Sequence, residues 1–199
     1  KKLLYIFVVV FFLLILEFFS NPLSIEKVDL FHAGQKLSSA FKSSIDNSLW
    51  SGSYVTVGII YETLGSKFIW NFFNQKTIGG MLFLDSIYLF ITKVLLLSLV
   101  LISTTSLNLN TNLKIFFFII SSLMLLYVND YSPSSSNLIS FRDGPIILSL
   151  ILFLKGTNSK NSIYFFIIGF LSLFIFLWSV DRAIVFFCFL LLIIFYLIL

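Results

Sequence analysis

Charged residues, cysteine and histidine are scarce in this chain of 199 residues. Lys, Arg, Asp and Glu make up 11% of it, and there are one cysteine, one histidine and three prolines. A single cysteine cannot form an intrachain disulfide. One histidine without a cysteine cluster does not supply the ligands of a zinc site. Soluble domains contain about 25% charged residues, so the composition excludes an ordinary soluble domain.

Apolar residues are correspondingly abundant. The chain is 59% hydrophobic, contains 26 phenylalanines and has a mean hydropathy of +1.05. Its apolar runs approach the roughly 20 residues that cross a bilayer as a helix, whereas a spanning strand needs about 10 alternating residues. We therefore expect an all-α, polytopic membrane helix bundle. The predicted membrane segments are 3–20, 81–103, 113–129, 144–155, 163–178 and 183–199.

The same pattern predicts three parts of the chain. Residues 1–20 form the first transmembrane helix, 21–80 an outer loop, and 81–199 about five further transmembrane helices. The first apolar run is longer than the roughly 7–15 residues of a signal peptide and lacks a small-residue cleavage site, which favours a retained anchor. The chain ends inside an apolar run, which is typical of a fragment truncated at the C-terminus.

The distribution of lysines predicts the orientation. Short cytoplasmic connections of membrane proteins are enriched in lysine and arginine, whereas long loops cross largely regardless of charge. We expect both termini in the cytoplasm of a bacterial cell, in the inner membrane, with a site facing the periplasm. Because the basic residues are scattered, the net charge of +4 does not indicate a nucleic-acid partner. The predicted cytoplasmic lysines are Lys1, Lys2, Lys114, Lys155 and Lys160.

This orientation brings polar residues from distant parts of the sequence to one outer surface. The long outer segment also contains two amphipathic stretches, 34–45 and 54–74, which we expect to lie flat on the outer leaflet as interfacial helices. The charged residues and the histidine placed on that side are Glu26, Asp29, His32, Asp85, Asp130, Arg142, Asp143, Asp181 and Arg182.

Asp29 and His32 are three residues apart and would share one face of a helix. In a functional interpretation, Asp29 is a general base or electrostatic partner and His32 orients a phosphate or a hydroxyl group. In a structural interpretation, they are a helix cap and a solvated side chain. The pattern leaves both interpretations open.

Two charged pairs, Arg142-Asp143 and Asp181-Arg182, stand just before apolar runs. They either mark the ends of helices or provide guanidinium groups that bind an anionic head group, because the planar guanidinium matches phosphate oxygens. Asp143 is also a predicted helix cap, with Pro145 in the first helical turn.

Glu17 and Lys93 lie within apolar runs. An ionised group at the centre of a membrane helix costs at least about 2.5–3.5 kcal/mol. We therefore expect both side chains to face the bundle and to neutralise each other. The alternative is a pair of coupling residues in a transporter.

The first half of the chain resembles a known family. A first helix directed outwards, the acid in "VDLFHAG", and "LWSGSYVTVGIIYE" before the second span are similar to the amino-terminal part of the C-type (GT-C) membrane glycosyltransferases. The resemblance covers residues 1–103 and is topological beyond them. It implies transfer of a sugar from a polyprenyl-phosphate donor to a glycan or lipid acceptor. Asp29 would be the catalytic acid, and the implied substrate-binding residues are His32, Glu26, Arg142, Asp143 and Arg182.

One departure from the family pattern concerns a second acid. The family pattern leads us to expect "FHDG" or "FHEG", whereas this chain has "FHAG", with Ala33 in place of the acid and Glu26 as its nearest substitute. No cofactor is required by the implied reaction, although a divalent cation could assist it. The alternatives to this function are a polysaccharide polymerase or ligase, a transporter and a non-catalytic membrane subunit.

Overall fold

The computed structural model describes residues 1–20, 30–46, 58–127 and 142–198. Every regular element in these ranges is a helix, which confirms the predicted all-α class. The elements are α1 (Lys2–Ser20), α2 (Leu30–Asp46), a π-helical turn (Ile60–Leu64) that continues into α3 (Gly65–Phe73), α4 (Ile78–Ser106), α5 (Thr111–Tyr127), α6 (Gly144–Ser159), α7 (Ser162–Trp178) and α8 (Val180–Ile198).

Two of the described helices, α1 and α4, are long and apolar enough to cross a membrane. Three others, α5, α6 and α7, are apolar but contain only 16 or 17 residues each. For α1 and α4, length and composition therefore support membrane association.

Helix α4 is the central element of the bundle. Its 29 residues extend about 44 Å, beyond the roughly 30 Å of a hydrocarbon core. The C-terminal half packs against α1 and α5, whereas the N-terminal half carries α2 and α3. The core beside the C-terminal half consists of Val10, Leu14, Leu97, Phe118 and Leu125.

Helix α6 runs parallel to the C-terminal half of α4. Its first residue, Gly144, leaves space for the hydroxyl of Thr92, which would lie 3.0 Å from a methyl group added at this glycine. Near its other end, the Asn158 side chain donates a hydrogen bond to Ser106 over 3.3 Å. At 1.5 Å per residue, α6 therefore begins about 20 Å along α4 from Ile78.

Helices α2 and α3 run side by side in the same direction. The hydroxyls of Ser39 and Thr63 are hydrogen-bonded, and the Lys67 ammonium donates to the Ser43 carbonyl over 3.3 Å. Helices α3 and α4 then form an antiparallel helical hairpin. In it, the Trp70 indole N–H donates to the Thr77 carbonyl over 3.0 Å. The first turn of α2 consequently lies towards the middle of α4 and the last turn towards its start.

The face that α2 buries combines polar side chains with the small Ala40. Lys36, Ser39 and Ser43 are buried there, whereas Phe41 and Ile45 are 52% and 60% exposed. Small residues allow close approach of two helices, and hydroxyl groups can bond across the contact. Exposed apolar side chains are typical of a helix at a membrane interface, and the interfacial position of residues 34–45 stays a prediction.

Gly58 ties the segment that carries α2 and α3 to the end of α7. A methyl group at Gly58 would overlap the carbonyl group of Trp178, so only glycine allows this approach. We expect Gly58→Ala to lower the free energy of unfolding by at least about 1–3 kcal/mol, because backbone must move to relieve the overlap. Thermal unfolding in detergent measures the change.

Gly79→Ala is the matched control. A methyl group at Gly79 would meet nothing within 4 Å, and alanine favours the helix by up to about 1 kcal/mol. A Gly58→Ala variant as stable as Gly79→Ala would contradict the close approach.

Candidate functional site

The described charges separate between the two ends of the bundle. Lys114, at the start of α5, donates to the Thr105 carbonyl near the end of α4 over 3.0 Å, and Lys1 and Lys2 lie beside the same turns. Asp85, Arg142, Asp143, Asp181 and Arg182 lie in or beside the other half. This separation agrees with the predicted distribution of lysines, and the side that faces the cytoplasm stays a prediction.

Two ion pairs join the start of α6 to the start of α8. Arg142 Nη1 lies 3.1 Å from Asp181 Oδ2, and Arg182 Nε lies 3.1 Å from Asp143 Oδ1. The Ser179 hydroxyl, in the turn between α7 and α8, donates to the Asp181 carboxylate. The structure therefore brings together both charged motifs, which the sequence separates by almost forty residues.

The two pairs differ in exposure. The side chain of Arg142 is 7% exposed, whereas that of its partner Asp181 is 50% exposed. Arg182 and Asp143 are intermediate. A guanidinium carries five N–H groups, and a single carboxylate occupies only some of them. Arg182 can therefore bind a carboxylate and an incoming anion together. We call these four residues, Arg142, Asp143, Asp181 and Arg182, the arginine–aspartate cluster.

Asp143 occupies the cap position of α6 without capping it. Pro145 lies in the first turn as predicted, but the Asp143 side chain makes no hydrogen bond to the helix N-terminus. The predicted capping contact was wrong because the carboxylate pairs with Arg182 instead.

A buried ion pair lies beside the cluster and was not anticipated. The Lys36 ammonium of α2 contacts the Asp85 carboxylate of α4, and their side chains are only 4% and 11% exposed. The same ammonium lies 4.1 Å from the centre of the Tyr61 ring, at the distance of a cation–π contact. The polar spacing of Lys36, Ser39 and Ser43 on α2 was the available signal for this contact.

Tyr61 connects the buried pair to the end of α7. Its ring centre lies 6.0 Å from that of Trp178, and Trp178 packs edge-on against Tyr88 at 4.8 Å. Burial raises the pKa of Tyr61 well above its ordinary value, the Asp85 charge raises it further, and the Arg142 charge opposes the shift. The phenol therefore remains neutral at physiological pH and adds no charge to the site.

Glu17 and Lys93 form the predicted neutralising pair. Lys93 Nζ lies 2.6 Å from Glu17 Oε1, and the side chains of Lys93 and Glu17 are 4% and 14% exposed. This contact confirms that both face the bundle. It also holds α1 against the middle of α4.

Other predicted site residues have no side-chain position. Asp29, Glu26 and Asp130 lie outside the described residues. His32 belongs to the first turn of α2, and its backbone alone is described. The catalytic assignment of Asp29 and the roles of His32 and Glu26 stay predictions.

Metal ligands do not gather in the described ranges. No group of three or more His, Cys, Asp or Glu side chains there could hold a metal ion. The divalent cation considered from the sequence stays a prediction.

No protein-family model, curated protein or solved structure matches the chain. The resemblance to the C-type glycosyltransferases therefore depends on the residues quoted for it.

The buried pair makes a quantitative prediction. Lys36→Met should lower the free energy of unfolding by about 3–5 kcal/mol, because it leaves Asp85 buried without its cation. The double variant Lys36→Met/Asp85→Leu should recover most of this loss, since neither charge then remains. Chemical or thermal unfolding of the three proteins measures the coupling.

Lys42→Met on the same helix is the control. Lys42 pairs with Asp46 one helical turn away, and its side chain is 51% exposed. Surface pairs contribute at most about 1 kcal/mol. If Lys36→Met costs no more than Lys42→Met, the Lys36–Asp85 pair does not hold α2 to α4.

Proposed function

We propose that this chain is a polytopic membrane protein of the bacterial inner membrane. We further propose that it transfers a sugar from a polyprenyl-phosphate carrier to a glycan or lipid acceptor on the periplasmic side. The observation that carries the proposal is the arginine–aspartate cluster, which gathers two guanidinium groups at the level where α2 begins.

The outer surface of the helices supports the membrane setting. Phe166, Phe170 and Leu173 on α7 are 77%, 72% and 65% exposed. Soluble monomers rarely present such contiguous apolar surface. In the proposed arrangement, α1, α4, α5, α6, α7 and α8 all cross the bilayer. The 16 or 17 residues of α5 to α7 give about 25 Å, which local thinning of the bilayer can accommodate.

The position of the cluster supports contact with a lipid-linked substrate. About 20 Å of α4 lies between Thr92, beside Gly144, and Ser106. If Ser106 lies at the inner boundary of a hydrocarbon core of about 30 Å, the cluster lies about 10 Å below the outer boundary. Charged groups at this depth are costly and commonly mark a substrate site. The half-exposed Asp181 side chain leaves the cluster accessible there.

The direction of α2 supports the assignment of Asp29. Helix α2 runs antiparallel to α4, with Lys36 at Asp85 and Ala40 at Leu84. Its first residue, Leu30, therefore lies towards the middle of α4. Trp178, at the end of α7, packs against Tyr88 of α4. Asp29 directly precedes Leu30 in the sequence. We assign it as the catalytic residue.

The reaction follows from these assignments. Asp29 removes the proton from an acceptor hydroxyl, whose oxygen attacks the anomeric carbon of the sugar. The bond from that carbon to the carrier phosphate breaks, and the electron pair leaves with the phosphate. Arg142 and Arg182 stabilise the phosphate charge, with Asp143 holding Arg182 in place. His32 orients the phosphate, and Glu26 supplies the second acid that Ala33 lacks.

Asp29→Asn tests the proposal. We expect it to lower sugar transfer at least a hundredfold, since general base catalysis contributes about 10²–10⁴-fold. The assay uses the purified chain in proteoliposomes with labelled polyprenyl-phosphate hexoses, a bacterial membrane extract as acceptor, and release of polyprenyl phosphate as the readout. Unfolding temperature should not change.

Asp46→Asn, at the other end of α2, is the control and should transfer sugar like the unchanged chain. Full activity of Asp29→Asn would refute its catalytic role.

The paired arginines also support a second candidate, a polysaccharide polymerase or ligase in which they act on the substrate directly. In that case Arg142→Lys would abolish product formation while Asp29→Asn retained it. A transporter would instead lose substrate flux in the double variant Glu17→Gln/Lys93→Gln, which removes both charges of the buried pair.

A further inference from the structure

A groove of about 480 Å³ lies at the end of the bundle opposite the arginine–aspartate cluster. It is bounded by the start of α1, the last turns of α4 and the first residue of α5. Leu3, Leu4, Leu101 and Ile102 give it an apolar wall. Its volume is within the range of about 300–1,000 Å³ that is typical of sites for small molecules.

The edge of the groove is cationic. Lys1 and Lys2 line it, and Lys114 bonds to the carbonyl of Thr105, another lining residue, over 3.0 Å. None of the described residues that line it is acidic. The nearest described acid along α1, Glu17, lies about 20 Å away and is paired with Lys93.

We propose that this groove binds an anionic phospholipid, with one acyl chain along the apolar wall and the phosphodiester between the lysines. The apolar wall contributes nothing to the binding of a free phosphate ion, whereas it strengthens the binding of an acyl chain about fourfold for each buried CH₂ group. Each lysine close to an anionic lipid surface contributes about 1 kcal/mol, or roughly fivefold in affinity. The groove therefore matches both parts of a lipid molecule.

This site depends on the proposed membrane setting and not on sugar transfer. It lies at the far end of α4 from the residues assigned to catalysis. An Asp29→Asn variant should bind the lipid like the unchanged chain, so loss of transfer and loss of lipid binding can be told apart.

Native mass spectrometry of the purified, delipidated chain tests the proposal. The probes are dioleoyl phosphatidylglycerol and dioleoyl phosphatidylcholine, which share their acyl chains and differ in net charge. We expect phosphatidylglycerol to be retained at least about tenfold more strongly. The double variant Lys1→Gln/Lys2→Gln should lose that preference, because two of the three nearby cations are removed.

Lys155→Gln/Lys160→Gln is the matched control. It removes the same charge from the same end of the bundle, at exposed residues that do not line the groove. It should leave the preference unchanged. Leu4→Gln tests the wall at a side chain that is already 59% exposed, and it should weaken the retention of both lipids without unfolding the chain.

Three results would overturn the proposal. The first is equal retention of the two lipids, and the second is an equal loss in both lysine double variants. The third is displacement of phosphatidylglycerol by excess glycerol 3-phosphate, which would indicate a site for free phosphate. Unfolding temperatures of all variants identify any that lose the fold, and Leu4→Gln then provides the remaining test.

Discussion

The pairing of buried charges is the constraint on which the tertiary structure depends. Lys93 with Glu17 joins α4 to α1, Lys36 with Asp85 joins α4 to α2, and Arg142 with Asp181 joins the residues before α6 to α8. In lipid, apolar side chains gain little by leaving the solvent for a neighbouring helix, so packing, hydrogen bonds and charge pairs specify the contacts. In the two buried pairs, Lys93–Glu17 and Lys36–Asp85, a charge left without its partner would be strongly destabilising. Each pair therefore selects one arrangement of its helices.

The helices and one of these pairs could be predicted from the sequence, and the others could not. Apolar runs predicted the main helices, and Glu17 and Lys93 were recognisable because each interrupts such a run. Lys36 was not recognised, since its contact with Asp85 depends on the direction in which α2 runs along α4. The helical pattern of α2 was correct, but its apolar positions do not share one buried face, since Ala40 is buried beside polar residues whereas Phe41 and Ile45 are exposed.

The candidate site could likewise be predicted from the sequence only in part. The sequence predicted that both arginine motifs belong to one surface, and in the structure each arginine pairs with the aspartate of the other motif. That pairing follows from the parallel course of α4 and α6 and from the short α7–α8 turn. Local sequence patterns do not reveal how helices are arranged relative to one another. In the proposed reaction, the carrier phosphate therefore shares Arg182 with Asp143.

The excess length of α4 accounts for the position of both proposed sites. Its last fifteen residues run beside the sixteen of α6, and its first fourteen extend beyond the start of α6 to carry α2 and α3. This extension covers the arginine–aspartate cluster on one side and leaves it about 20 Å from the start of α4. At the C-terminal end of α4, none of the described helices covers the groove in this way. Helix α4 ends there beside Lys1, Lys2 and Lys114. In the proposed membrane setting a lipid can reach that groove from the bilayer, whereas a substrate reaches the cluster past the half-exposed side chain of Asp181.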